Sequence, residues 1–265
     1  MENVSFSPFT HDDELTLHYK LEKAILDDNS NIGGVVVGFI TVAITLLFEL
    51  ISYESVRRVW RQTNGKSLYL TAVFYNVLNN LILGPLTWFL AAGALCRAEL
   101  PSAPHRAFST LGLLLVHSLG YYMAHAAMHR PSLYRFHKLH YRFHSHVCPL
   151  AANCVTVVEY GVDYMLPFVA GIFFFRPDRL ALLRAVSIVS LNNILIHTPP
   201  LADPAAKYLP WFFVGTDDHL EHHARLTTKY AAPTLCLDRI IERTCDALGV
   251  EKVYWPGPRP KNKDF

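Results

Sequence analysis

Histidine is the residue type in this chain whose number and spacing could do chemistry. There are fourteen, and eleven fall between His117 and His223. His125 and His129 are four apart, which on a helix stacks two imidazoles on one face. They could point at one metal or at two adjacent metals. In His137-Lys-Leu-His140-Tyr141-Arg-Phe-His144 the intervals are three and then four, so one helical face could carry all three histidines. In His219-Leu-Glu-His222-His223 the intervals of three and one spread imidazoles over an arc wide enough for two ions. Asn193 and His197 repeat the spacing of four. A single pair of this kind is as often structural as ligating, but several groups together point to metal binding. Imidazole suits iron, zinc, copper and nickel, so the donors alone do not choose the metal. Soluble di-iron bundles rely on glutamates and Glu-x-x-His pairs, and carboxylates are scarce here. Zinc has no redox chemistry, whereas oxidising an unreactive C–H bond needs dioxygen reduced at a redox metal.

The elements that must position these side chains are apolar. Hydrophobic residues make up 51% of the 265 and are gathered into long runs rather than spread as a soluble core requires. The run 33–52 carries Glu49 as its only charge and is long enough to cross a hydrocarbon layer, which takes about 20 helical residues. Further runs cover about 68–95, 107–129, 155–175 and 180–198. Gly84-Pro85 marks a kink or break in the second. The turn Arg176-Pro177-Asp178-Arg179 joins the last two as a helical hairpin, which either spans or partly enters the bilayer. The expected fold is an all-α integral membrane bundle of four or five apolar segments with a cytosolic histidine-rich cap. Residues 1–31 form a polar tail, 32–200 the transmembrane region with the first two histidine groups, and 201–265 the cap with the third group and a basic tail.

Basic residues set the orientation. Arg57, Arg58, Arg61 and Lys66 lie in one connection, and Arg130, Arg135, Lys138 and Arg142 in another on the same side. The opposite connection has only Arg97 and Arg106. The amino terminus is therefore expected outside or in a lumen, and the carboxyl terminus in the cytosol. Residues 1–31 are acidic and polar and do not read as a signal peptide. Lys261-Asn-Lys263-Asp-Phe265 resembles a dilysine retrieval signal of the endoplasmic reticulum. The net charge of +2 and the absence of a basic block with interleaved aromatics argue against nucleic-acid binding. The five cysteines show no C-x-x-C pair, so neither a disulfide framework nor a thiolate zinc site is indicated.

The stretch Tyr121–His146, YYMAHAAMHRPSLYRFHKLHYRFHSH, resembles the fatty acid hydroxylase/sterol desaturase superfamily, and Asp217–Pro233 looks like its last histidine box. The resemblance covers roughly residues 70–235. It implies a membrane-embedded non-haem di-iron oxygenase that hydroxylates, desaturates or oxidises a methyl group of a lipophilic substrate such as a sterol, fatty acyl chain or terpenoid. By position the ligands would be His125, His129, His137, His140, His197, His219, His222 and His223, with Asn193 at a further ligand-like position. The resemblance also implies two Fe ions, O2, surrounding lipid, and a separate redox partner such as cytochrome b5 or an NAD(P)H-dependent reductase. No dinucleotide fingerprint is present in the chain to replace that donor. The second box departs from the pattern, because Tyr141 stands where a second adjacent histidine is usual. His144 could substitute, the tyrosine could coordinate, or one site could be weakened. The last possibility supports an alternative reading, a catalytically silent membrane scaffold or regulator with a structural metal or none. A divalent-metal transporter would instead place its ligands near the bilayer midplane.

Other residues carry paired readings. Glu159 either accepts the free N–H of a ligand histidine or pairs with Arg130 or Arg135. Asp163, one helical turn on, is a weaker candidate of the same kind. Asp217 and Asp218 either orient His219 or His222 or cap a helix. Asn193 either acts near the metal or makes a packing hydrogen bond. His117 is expected to be a packed core residue.

Overall fold

The computed structural model describes residues 32–97, 101–144, 146–226, 228–231 and 233–251. The polar tail 1–31 and the dilysine-like terminus lie outside the described residues. Among the described residues, five helices are long and apolar enough to cross a membrane. The first is α1 (Ile32–Ile51), followed by the short amphipathic α2 (Tyr53–Arg61). The second span is α3 (Gly65–Val77), a π-helical turn (Leu78–Leu83) and α4 (Gly84–Ala94). α5 (Ala103–Met128) is the third span, and the single turn α6 (Tyr134–His137) follows it. The fourth span is built from α7 (Val157–Glu159), a second π-helical turn (Tyr160–Met165) and α8 (Leu166–Phe175), and α9 (Arg179–Ile196) is the fifth. The remainder is α10 (Ala202–Tyr208), α11 (Thr216–Arg225) and α12 (Leu237–Leu248). Among the described residues β-structure is confined to two isolated bridges.

The first span faces inward with small and polar residues and outward with large apolar ones, the pattern expected when lipid replaces water. In α1 the buried residues are Gly33, Gly34, Gly38, Thr41, Thr45 and Glu49, while Phe39, Ile40, Leu46 and Leu50 are exposed. Gly38 is required by contact, since a Cβ there would collide with the Asn80 carbonyl oxygen. The Gly84-Pro85 signal takes the form of a π-helical turn rather than a gap. Pro85 has no N–H, and the Gly84 N–H reaches back five residues to Asn79 O. The hairpin turn 176–178 closes against the start of α5, where Arg106 Nε meets Asp178 Oδ2 at 2.8 Å. The ends of α1, α5 and α9 that bear Glu49, His125 and His197 therefore gather at the opposite end of the bundle.

That end is organised by a 3-10 turn, Pro149–Asn153, held by four polar side chains from three of the spans. Glu49 accepts from Leu150 N–H at 2.7 Å and from the Tyr69 hydroxyl at 2.8 Å. Asn76 donates to Leu150 O at 2.8 Å, Asn79 to Asn153 O and Val155 O at 3.0 Å, and Asn193 to Ala152 O at 3.0 Å. Irregular backbone at membrane depth persists only where its polar groups are satisfied by protein. Replacing Glu49 with alanine leaves the Leu150 amide and the Tyr69 hydroxyl without this acceptor. The expected loss is about 1–3 kcal/mol per donor left buried and unpaired, read as a lower thermal unfolding midpoint in detergent. Glu49→Gln, which keeps one acceptor oxygen, should lose much less. Equal midpoints for Glu49→Ala and the parent would contradict this account of the turn.

Candidate metal centre

The histidines of the three sequence groups converge at the ends of α5 and α9 and sort into two sets. His125 and His129 stand one above the other at the end of α5. Their Nε2 atoms are 3.4 Å apart, and a ligand atom of His137 lies with them within 4.8 Å. His222, on α11, joins this set through ring contacts with His125 and His129, at 4.8 and 5.0 Å between centroids. His140, His197, His219 and His223 form the second set. There the Nε2 atoms of His197 and His219 are 3.0 Å apart, those of His219 and His223 3.2 Å, and those of His140 and His197 3.4 Å. Seven of these eight side chains are buried and His129 is partly exposed.

Hydrogen bonds on the far side of several rings decide which nitrogen faces inward. His125 Nδ1 donates to Tyr230 O at 2.8 Å, His222 Nδ1 to Thr228 O at 2.6 Å and His197 Nδ1 to Asn193 O at 2.6 Å. A carbonyl can only accept, so each Nδ1 carries the proton and each Nε2 presents a bare lone pair. His137 Nδ1 faces Glu159 Oε1 at 2.6 Å, and its Nε2 is buried without a partner. Asp163 lies beside this pair with both carboxylate oxygens buried and unpartnered. Burial holds His137 and His197 down at about 4 and His222 at about 3. Burial, reinforced by neighbouring imidazoles, holds His129, His140, His219 and His223 well below the usual range. All are therefore neutral near pH 7, which is the metal-binding form.

Lone pairs pointed at one another in a dry site repel unless a cation sits among them. Ligand atoms held at about 2.0–2.1 Å from one ion, at tetrahedral to octahedral angles, are roughly 2.9–3.4 Å from each other. The measured Nε2 separations fall in that interval, so both sets fit a metal ion. The Nδ1 contacts match the usual outer support, in which a carbonyl or carboxylate orients a ligating imidazole.

Local structure explains the sorting and corrects parts of the sequence reading. His137, His140 and His144 do not share a helical face. α6 ends at His137 and a 3-10 turn takes over at His140–Phe143, so His137 and His140 diverge into different sets. His144 turns outward. It is exposed, and its Nδ1 lies 3.1 Å from the Tyr141 carbonyl, so it does not substitute in the second box. Tyr141 instead directs its hydroxyl into the first set, 3.1 Å from Nε2 of both His125 and His129 and in contact with His222 Nε2.

The aspartates before the third box meet no histidine nitrogen. Asp218 closes a capping box on Gly215 N–H at 3.3 Å and pairs with Lys229 at 2.9 Å and with Arg239. Burial pushes its carboxyl up, but the hydrogen bonds from Lys229 and Arg239 bring it below the usual carboxylate range. Asp217 is 4.0 Å from Arg239. The Asn193 side chain donates to Ala152 O in the 149–153 turn and its main-chain carbonyl orients His197, while its Oδ1 is buried without a partner. His117 packs against Phe168 and Tyr121, away from both sets. The carbonyls of Thr228 and Tyr230 had no sequence signal, because a main-chain acceptor is independent of residue type. They arrive because Leu226, at φ 60°, ends α11 in the left-handed region and turns the chain back over it.

Residues 110–243, about half of the chain, match the fatty acid hydroxylase family, and this span contains every histidine of both sets. The chain belongs to the fatty acid hydroxylase family. No curated protein and no solved structure matches it. Membership and the five apolar helices make this hydroxylase-family chain a multi-pass membrane protein whose histidine sets are able to bind metal.

Proposed function

We propose that this fatty acid hydroxylase family member is a non-haem di-iron oxygenase acting on a lipophilic substrate. The observation that carries the reading is the pair of largely buried imidazole sets whose Nε2 atoms face one another, with a bare lone pair at His125, His197 and His222. His125, His129, His137 and His222 would hold one iron, and His140, His197, His219 and His223 the other. Bound there, the irons supply the reduction of dioxygen that oxidation of a C–H bond demands. The residues of the chain hold the imidazoles neutral and oriented. Glu159 keeps the His137 Nδ1 proton in place, and the Thr228, Tyr230 and Asn193 carbonyls do the same for their partners.

Substrate enters from the bilayer side in this reading. A largely apolar cavity of about 250 Å³ lies between α1, α4, α8 and α9, lined by Gly34, Trp88, Phe168 and Val189 among others. Asn193 and Tyr164 also line it, and they are next to the metal sets, since Asn193 O orients His197 and Tyr164 packs on Tyr121 beside His125. Both π-helical turns border the cavity, through Asn80 and Tyr160. Such an apolar space suits an acyl chain or a polycycle. In this reading electrons come from a separate donor such as cytochrome b5 or an NAD(P)H-dependent reductase; the basic connections support a cytosolic histidine end, and the dilysine-like terminus supports the endoplasmic reticulum.

The test is iron content together with lipid profiling of a host that expresses the chain. Two irons per chain and a new oxidised lipid that disappears without dioxygen are the expected results. A folded, iron-free protein with an unchanged lipid profile would favour a membrane scaffold instead.

A further inference from the structure

We propose that Tyr141 coordinates the metal of the first set as a phenolate, so that the chain has one all-imidazole site and one site with an anionic oxygen donor. The proposal rests on the two-metal reading above, and it concerns a residue at which the chain departs from its family's usual pattern.

The position of the phenol is the main argument. Its oxygen lies 3.1 Å from Nε2 of His125 and 3.1 Å from Nε2 of His129, and it contacts Nε2 of His222. The two measured separations equal those expected between ligands sharing one ion, roughly 2.9–3.4 Å. The ring is buried and fixed by stacking on Tyr134 and edge contacts with His137 and His140.

Hydrogen bonding alone does not satisfy this geometry. His125 and His222 both spend their Nδ1–H on main-chain carbonyls, so both aim bare lone pairs at the phenol oxygen. A phenol has one proton and can donate to only one of them. The other lone pair then faces oxygen lone pairs in a largely buried site, which is costly. A cation among the donors removes the conflict. The phenolic proton leaves to bulk water as the oxygen–metal bond forms, and no electrons move in that step. The backbone also provides for the substitution. The 3-10 turn His140–Phe143 sends adjacent residues to different sets, His140 to the second and Tyr141 to the first. The longer tyrosine thus supplies its oxygen where the family's second adjacent histidine would supply nitrogen.

An anionic oxygen donor favours the ferric state more than imidazole does, so the two irons would be inequivalent. The experiment loads full-length protein in nanodiscs with Fe(II) under nitrogen, counts iron, admits air, and records visible absorption and resonance Raman spectra. The wild type should bind two irons and show a phenolate-to-iron charge-transfer band with enhanced tyrosine ring vibrations. Tyr141→Phe should lose the band and those vibrations while keeping the iron of the all-imidazole site. Tyr141→His should bind two irons without the band, which shows that the site still folds. Tyr230→Phe, which alters a second tyrosine packed against His129, should keep the band.

Two irons and identical spectra for wild type and Tyr141→Phe would overturn the phenolate alone. A wild type with one iron, and a Tyr141→Phe protein with two, would mean that the phenol blocks the first site. A wild type that binds no iron would remove the two-metal reading and this proposal with it.

Discussion

His222→Ala and His223→Ala should each abolish oxidation of the substrate while removing different metals. The two residues are adjacent on α11, yet their rings part. His222 faces His125 and His129, with centroids 4.8 and 5.0 Å away, whereas His223 faces His219 and His140, at 4.8 and 4.7 Å. Deleting either imidazole takes one oriented donor from that set, weakens its hold on the ion, and leaves the other set intact. Iron should fall from two per chain to one in both variants, and product should disappear in both, because dioxygen reduction in this reading uses the pair. The spectra then tell the variants apart: His222→Ala loses the phenolate band, and His223→Ala keeps it. Membrane insertion should be unaffected, since α11 lies outside the five spans. Full activity in His222→Ala would show that the ligand assignment is wrong.

Glu159→Ala should weaken iron binding at the first site by about 10–100-fold, the usual cost of removing the outer partner of a ligating histidine. The carboxylate is on α7, the first element of the fourth span, and accepts from His137 Nδ1 at 2.6 Å. Without it the imidazole is free to rotate or to change tautomer, and its Nε2 no longer points reliably inward. Glu159→Gln keeps an acceptor oxygen for that N–H and should lose considerably less. Titration of iron-loaded protein with a chelator separates the two sites, and only the first should release iron earlier. Equal release from both sites in Glu159→Ala would remove Glu159 from the support of His137 and leave it as a packing residue beside Asp163.

Together these variants distinguish donors from supports. The first pair changes stoichiometry, whereas the glutamate changes affinity at an unchanged stoichiometry. Tyr141 changes the spectrum.

Much of this molecule is legible in one dimension. The five apolar lengths follow from the thickness of a bilayer, and the spans begin and end within a few residues of the hydrophobic runs. The pairing of His125 with His129 follows from helix periodicity alone, because residues four apart must share a face. The choice between Glu49 as an incidental charge and Glu49 as a clamp could not be read this way, since its partner amide belongs to Leu150, far along the chain.

What the tertiary structure decided is which histidine keeps company with which. Spacing alone allowed His137, His140 and His144 on one face. The switch from α6 to a 3-10 turn divided the first two between sets and turned the third to the surface. The same turn aimed the Tyr141 hydroxyl at His125 and His222. The carbonyls that fix His125 and His222 come from a segment folded back by a left-handed residue at Leu226. The physical reason is one of range. Apolar length and helical phase are properties of neighbouring residues and are written locally. Convergence of lone pairs depends on where helices end and on main-chain acceptors, and these are set only when distant segments pack.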